Sequence, residues 1–318
     1  MQTLLILLLI LSYTHVSASD MVIGGVKTYV VQNGDSLELI GARHGVFWKN
    51  IVKENNIDPK LPLPEGATVI INNRKIVPKV IENGIIINIP DRTLYYFKDG
   101  RLTAIPVGVG LPYEENNMSW QTTMGRFKII RKRKNPTWYV PESLQREMEL
   151  KGKPVEESVP PGPDNPLGRY ALETSITGIL IHETIRPRSV YRYLSHGCIR
   201  VLPEHMEPLF NMVEVGTPGE IIYMPVKLAV SNNNRIYLEV RTDMYRKIKS
   251  KSEYTRMIIQ DRGVADKVDW EKVNRVIKEQ SGIAEDVTLI AHNGVNGSLK
   301  RKISTTTQKI LDFLGQGK

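Results

Sequence analysis

One cysteine among 318 residues, Cys198, removes internal disulfides from the ways this chain can hold itself together. The fold must rest on buried apolar surface, and 41% of the residues are hydrophobic, enough for a real core. Within residues 80–226 they fall largely in short apolar runs closed by turn residues, the pattern of a unit dominated by strands. Residues 85–89 form a continuous apolar run that stops at Pro90-Asp91. Residues 93–97 and 102–107 flank Asp99-Gly100, a dipeptide suited to the positive φ angles of a tight hairpin.

The length leaves room for roughly two or three small domains, without tandem repeats or low-complexity tracts. Residues 4–11 are an apolar run, and Val16-Ser17-Ala18 supplies small residues at a cleavage site. A signal peptide over residues 1–18 is therefore expected, with export to a periplasm or cell wall. The run falls short of the ~20 apolar residues that span a bilayer, so no transmembrane anchor is expected. A formal charge of +9 suits anionic surroundings such as a cell wall or membrane surface. The densest basic cluster, Arg131-Lys132-Arg133-Lys134, reads as a solvated strand end, and with no recognition motif nucleic acid is not an expected partner.

Residues 28–31 are β-branched, and Asn33-Gly34-Asp35-Ser36 is a turn leading into a helix cap. Leu37, Ile40 and Val46, then Ile51 and Val52, have helical spacing. Pro62, Pro64 and Gly66 break it, and residues 68–71 return as a strand. This strand-helix-helix-strand unit over residues 27–73 resembles a LysM module. The likeness rests on Gly34-Asp35-Ser36-Leu37, Ile40, Gly45-Val46, Asn55-Asn56 and Pro64 with Gly66; Glu65 departs from the usual adjacent Pro-Gly. It implies binding to the glycan strands of peptidoglycan, with Gly34, Asp35 and Asn56 as candidate contacts. As residues alone, Gly34 and Asp35 equally suit a turn.

Residues 80–226 form a larger unit dominated by strands. Residues 125–131 are a strand candidate, and the polar, proline-rich residues 138–163 read as a long surface excursion. Residues 178–181 form a short apolar strand that delivers His182 at its end. Pro203 can open a helix with Met206, Leu209, Phe210 and Val213 on one face, followed by a strand at 220–224. Residues 227–318 read as an α+β appendage. It has a strand at 235–240, a helix with Trp270, Val273 and Ile277 on one face, and a basic end with an apolar patch from Ile310 to Leu314.

Cys198 lies in Ser195-His196-Gly197-Cys198-Ile199-Arg200. Its polar neighbours suit a nucleophile better than a buried apolar cysteine. A thiol of pKa ~8.5 is only a few per cent ionised at neutral pH, so an imidazole must take its proton and later return it. His182 and His196 both qualify. His196 would share a face with Cys198 in an extended strand, and the strand ending at His182 could pair alongside. Spacing alone does not choose between them. Gly197 lets backbone approach, and the amides of Gly197 and Cys198 are natural oxyanion donors. Arg200 and Ser195 are candidate substrate contacts, Arg200 for a carboxylate; a structural salt bridge is an equal reading of Arg200. His205 reads as an exposed residue of the following helix.

His182, twelve intervening residues, then the Ser195–Arg200 motif resemble the YkuD-type L,D-transpeptidases. Gly125-Arg126-Phe127, Asn135-Pro136-Thr137-Trp138, the Pro-Gly-Asn segment at 160–168 and Gly216-Thr217-Pro218 extend the likeness over about residues 85–226. The resemblance implies a mostly β catalytic domain, a β-sandwich with a short helix after the cysteine. It implies Cys198 as nucleophile, His182 as proton donor and acceptor, and His196 in support. The family's histidine is usually followed by Gly-Thr; here Glu183-Thr184 follows, and the Glu183 carbonyl could still orient the imidazole. Thr123 stands where a proline is usual.

The implied reaction is attack on a tetrapeptide stem of peptidoglycan, release of D-alanine, and transfer to an amine, with no cofactor and no metal. The acceptor would be a second stem or an envelope lipoprotein, since the C-terminal segment resembles that of lipoprotein-attaching members. Two other readings compete. One is a zinc-dependent wall peptidase using His182, His196 and Cys198 as ligands. The other is a non-catalytic peptidoglycan-binding wall protein.

Overall fold

The computed structural model describes residues 21–115 and 118–290. The expected signal peptide and the apolar patch from Ile310 lie outside these residues.

A first, small unit comprises β1 (Val26–Val30), α1 (Leu37–His44), α2 (Trp48–Asn55) and β2 (Thr68–Asn72). Ser36 starts α1 by accepting the Leu39 amide on its Oγ at 3.2 Å, which satisfies one orphan donor of the first turn. Both helices end on a left-handed residue, Gly45 and Asn56. They pack on the antiparallel β1–β2 pair through Ile40, Val46, Ile51, Val69 and Ile71. Burial of each such side chain contributes ~1.5–3 kcal/mol. The expected βααβ module is present.

The second unit begins with the meander β3 (Gly84–Asn88), β4 (Thr93–Lys98) and β5 (Arg101–Gly110). Asp99 and Gly100 turn β4 into β5 with φ of 50° and 72°, as a two-residue hairpin of this hand requires. After β6 (Gly125–Lys134), residues 138–163 hold more order than the irregular excursion expected. Trp138–Tyr139 pairs with Ser158–Val159 at its base, and α3 (Glu142–Leu150) runs between them. No residue of α3 is buried, so the sequence lacks the apolar periodicity that announces a core helix.

Strands β7 (Tyr170–Thr174), β8 (Leu180–Glu183), β9 (Tyr193–Ser195) and β10 (Ile199–Val201) follow, then α4 (Pro203–Met212) and β11 (Pro218–Ile222). Pairing runs β9-β5-β10-β8-β7-β6-β11-β3-β4, and β4 pairs back onto β5. The sheet closes into a barrel-like sandwich. Closure depends on β5 and β6, ten residues each, because different parts of each strand pair with different neighbours. Inside lie Ile85, Ile87, Leu94, Val107, Ile181 and Ile199, with Met206 and Leu209 of α4 packed against them. The run at 85–89 is continuously apolar because both its faces are covered: Ile86 packs on the other side with Val77, Tyr95 and Phe97.

The third unit is a separate antiparallel sheet of β12 (Val226–Val230), β13 (Ile236–Val240) and β14 (Glu285–Asp286). Helices α5 (Lys251–Asp261) and α6 (Trp270–Glu279) pack against it through Ile259, Val273 and Val276. The sequence reading expected β13 and α6 but not β12, whose pattern is interrupted by Lys227. That lysine is buried. Its Nζ lies 2.7 Å from Asp91 and 3.0 Å from Glu239, while Arg241 Nε lies 3.1 and 2.6 Å from the same two carboxylates. Burial pushes Asp91 up, but the Lys227 and Arg241 charges outweigh it and hold the carboxyl below its usual range. Asp91 belongs to the β3–β4 turn, so this quartet joins the third unit to the barrel. The first unit is tied in through Ala42, buried with Val190, Tyr191 and Leu202, and through Asn50, which donates to the Ser281 carbonyl at 2.8 Å.

Candidate active site

Strands β8 and β10 lie side by side in parallel, with Ile181 opposite Ile199 and His182 opposite Arg200. Cys198 precedes β10 as Leu180 precedes Ile181, so the register brings the thiol to the start of the His182 strand. The sulfur donates to the Gly178 carbonyl at 3.5 Å and receives a bond from the Leu180 amide.

Residues 196–198 bend between two strands, so His196 and Cys198 do not share the face that an extended strand would give them. β9 ends at Ser195, β10 begins at Ile199, and Gly197 has φ of +107°, a region that side chains with a Cβ avoid. Ser195 Oγ donates to the Cys198 carbonyl at 2.6 Å, and Thr122 Oγ1 donates to the Gly197 carbonyl at 2.9 Å. Ser195 is only 2% exposed, so this expected substrate contact faces the loop's own backbone. Thr122 Oγ1 also accepts the Gly110 amide, and its own amide donates to the Tyr245 hydroxyl, which donates to the Gly110 carbonyl. Thr122 and Tyr245 were missed from sequence. Neither carries a local signal, and Tyr245 arrives from beyond β13.

His182 is 4% exposed and donates Nδ1–H to the Glu183 carbonyl at 2.6 Å, so a backbone carbonyl orients the ring. A carbonyl can only accept, so the proton is on Nδ1 and Nε2 carries the lone pair. Burial, with a smaller contribution from Arg200, pushes His182 down to about 4. Burial pushes the Cys198 thiol up, against the Leu180 amide and the Arg200 charge. At neutral pH the resting groups are a neutral imidazole and a neutral thiol. Arg200 is desolvated and faces the like charge of Arg186, and among the described residues no carboxylate pairs with it.

His196 is turned elsewhere. Its ring packs 4.2 Å from Trp120, and its Nε2 lies 3.6 Å from Glu147 of α3. Burial lowers its pKa, with Glu147 opposing. His182, His196 and Cys198 thus face different partners. Among the described residues no group of three or more His, Cys, Asp and Glu is arranged to hold a metal. His205 is half-buried rather than exposed, with Nε2 enclosed and without a hydrogen-bond partner.

In the first unit, Gly34 makes a turn with φ of 79° and Asn56 caps α2. Asp35, expected to face glycan, has a side chain 1% exposed. Its carboxylate accepts from the Tyr29 hydroxyl and Arg43 at 2.6 Å each and from the Gln32 amide at 2.9 Å.

The L,D-transpeptidase catalytic domain family YkuD matches residues 82–221, and the LysM domain family matches residues 29–72. The Salmonella typhimurium protein named "Probable L,D-transpeptidase ErfK/SrfK" is 30% identical over 294 residues, which cover 88% of this chain and 92% of that protein. "Probable L,D-transpeptidase YbiS" of Escherichia coli is 33% identical over 216 residues, 67% of this chain and 68% of that one. "Probable L,D-transpeptidase YcfS" of the same species is 29% identical over 281 residues, covering 85% and 86%. The chain belongs to the L,D-transpeptidases, and it is an enzyme that joins a YkuD catalytic domain to a LysM domain. Both domains imply binding to peptidoglycan.

Proposed function

We propose that this enzyme transfers acyl groups within peptidoglycan through a thioester on Cys198. The observation that carries the reading is the buried His182 imidazole, oriented by the Glu183 carbonyl on the strand paired beside Cys198. In the first half-reaction Cys198 Sγ attacks the carbonyl carbon of the third residue of a tetrapeptide stem, and the thiol proton passes to His182 Nε2. The amides of Gly197 and Cys198 receive the oxyanion. The C–N bond to the terminal D-alanine breaks, and His182 returns the proton to the departing amine.

In the second half-reaction an acceptor amine attacks the thioester and gives a proton to His182. The C–S bond breaks, and the sulfur recovers that proton. An amine of another stem gives a 3-3 cross-link, a lysine of an envelope lipoprotein gives attachment, and water gives hydrolysis. Arg200, which has no carboxylate partner among the described residues, takes a carboxylate of the stem. Because both resting groups are neutral, the thiolate forms during the attack and is not stored; a buried site disfavours the charged forms of both. No cofactor takes part.

Residues 27–73 hold the exported enzyme on glycan, which raises the effective concentration of stems around residues 80–226. The periplasm or the cell wall is the compartment in which that arrangement operates. A carbapenem, as an acyl-donor mimic, should add one mass increment to the peptide containing Cys198 and none in Cys198→Ser. An adduct formed equally fast in Cys198→Ser overturns the nucleophile. No adduct on the unaltered protein favours the non-catalytic wall-binding alternative.

A further inference from the structure

Helix α3 has no buried residue, yet one of its side chains reaches the loop that carries Cys198. Glu147 Oε2 lies 3.6 Å from His196 Nε2, while Oε1 pairs with Lys151 one turn further on. Oε2 is enclosed and, among the described residues, accepts no hydrogen bond. The Glu147 side chain is 19% exposed, against 86% for Glu142 on the same helix, so it is turned inward selectively. Trp120, itself 4% exposed, also packs on His196, with the ring centroids 4.2 Å apart. The charged groups acting on the imidazole are Glu147 of α3, Lys151 just after that helix, and Arg200 of β10.

We propose that Glu147 is a positioning residue for the Cys198 loop, acting through the ring of His196. The proposal rests on the reading of Cys198 as nucleophile with loop amides as oxyanion donors. At 3.6 Å the contact is longer than a hydrogen bond, so its attraction is electrostatic and is stronger when the imidazole is charged. Contacts to Glu147 and Trp120 together restrain the ring and so the residue immediately before Gly197. The other restraint is the Thr122 hydroxyl on the Gly197 carbonyl. Both are needed because glycine at φ +107° has more backbone freedom than any other residue would have. The excursion at 138–163 thereby bears on the geometry of the reacting centre without touching substrate.

Glu147→Gln keeps the shape and removes the charge. Three quantities are read on the full chain: the rate of Cys198 acylation by a carbapenem, the NMR titration of the His196 ring, and the melting temperature. The His196 signal is assigned among the six histidines by its loss in His196→Gln. Acylation should slow about 10-fold, less than the ~10²-fold that a 1 Å misplacement can cost. The His196 titration should move to lower pH, because the carboxylate that favours imidazolium is gone. Glu147→Asp should recover part of both effects, and the melting temperature should hold. Glu147→Gln combined with His196→Gln should be no slower than His196→Gln alone. Slower acylation without a titration shift, or fully additive effects, overturns the proposal. So does an unchanged rate with an unchanged titration, which makes Glu147 an ordinary surface acid. If the unaltered protein is not acylated at all, the function proposed above fails, and the titration still decides whether Glu147 holds His196.

Discussion

His182 donates its Nδ1–H to the carbonyl oxygen of its own neighbour, Glu183, at 2.6 Å. The orienting group is therefore backbone, while the Glu183 carboxylate is engaged by Arg169 at 3.3 Å. A substitution of the Glu183 side chain therefore leaves the group that orients this imidazole in place.

Replacing Glu183 by glutamine should leave acylation of Cys198 within a few-fold of the parent, since the carbonyl is unaltered. Replacing His182 by alanine should slow it ~10²–10⁴-fold, the usual contribution of a positioned acid-base group. Stopped-flow acylation with a chromogenic β-lactam measures both. Equal losses in the two variants would mean that the carboxylate, and not the carbonyl, does the orienting.

The depressed pKa of His182 also makes a statement about stability. Unfolded, the group titrates near its ordinary 6.5; folded, it titrates at about 4. Between these values the unfolded chain binds more protons, so stability falls as pH drops from 6.5 towards 4 and is unaffected by this group above 6.5. The effect has an upper size of about 3 kcal/mol, from ~1.4 kcal/mol per pH unit. His44, also pushed down to about 4 by burial, acts in the same direction. Urea denaturation at pH 7.5 and pH 4.5 should show a smaller acid loss in His182→Gln than in the parent. A loss of the same size in both would remove His182 from the account.

Asp91, Lys227, Glu239 and Arg241 predict that the third unit cannot be removed from the barrel without harm. Cutting the chain after Pro225 removes both cations that neutralise Asp91, and breaking a buried ion pair typically costs ~3–5 kcal/mol. The shortened chain should be poorly soluble or melt far below the full one, and Tyr245 would no longer support Thr122. Lys227→Met should destabilise the full chain by a similar few kcal/mol. A shortened chain with an unchanged melting temperature and unchanged acylation would show the third unit to be a detachable appendage.

Local features were legible in the residues themselves. The Asp99-Gly100 hairpin, the Ser36 cap and the apolar face of α4 depend on neighbours within a turn or two, so composition and spacing suffice for them. The candidate nucleophile was legible for a similar reason, since the thiol, Gly197 and Arg200 stand together in one short segment. What tertiary structure decided was the destination of polar groups and the partners of long strands. Lys227 looks like a solvated charge in sequence, yet it is buried because Asp91, from a distant segment, neutralises it; the Asp35 side chain is enclosed by Tyr29 and Arg43 of its own small unit. Thr122, Tyr245 and Glu147 come from three separate stretches of chain, and only the closed sheet and the folded-back excursion bring them to one loop. Closure itself depends on β5 and β6 finding different partners along their length, a choice made by packing across the whole barrel and not by any residue in either strand.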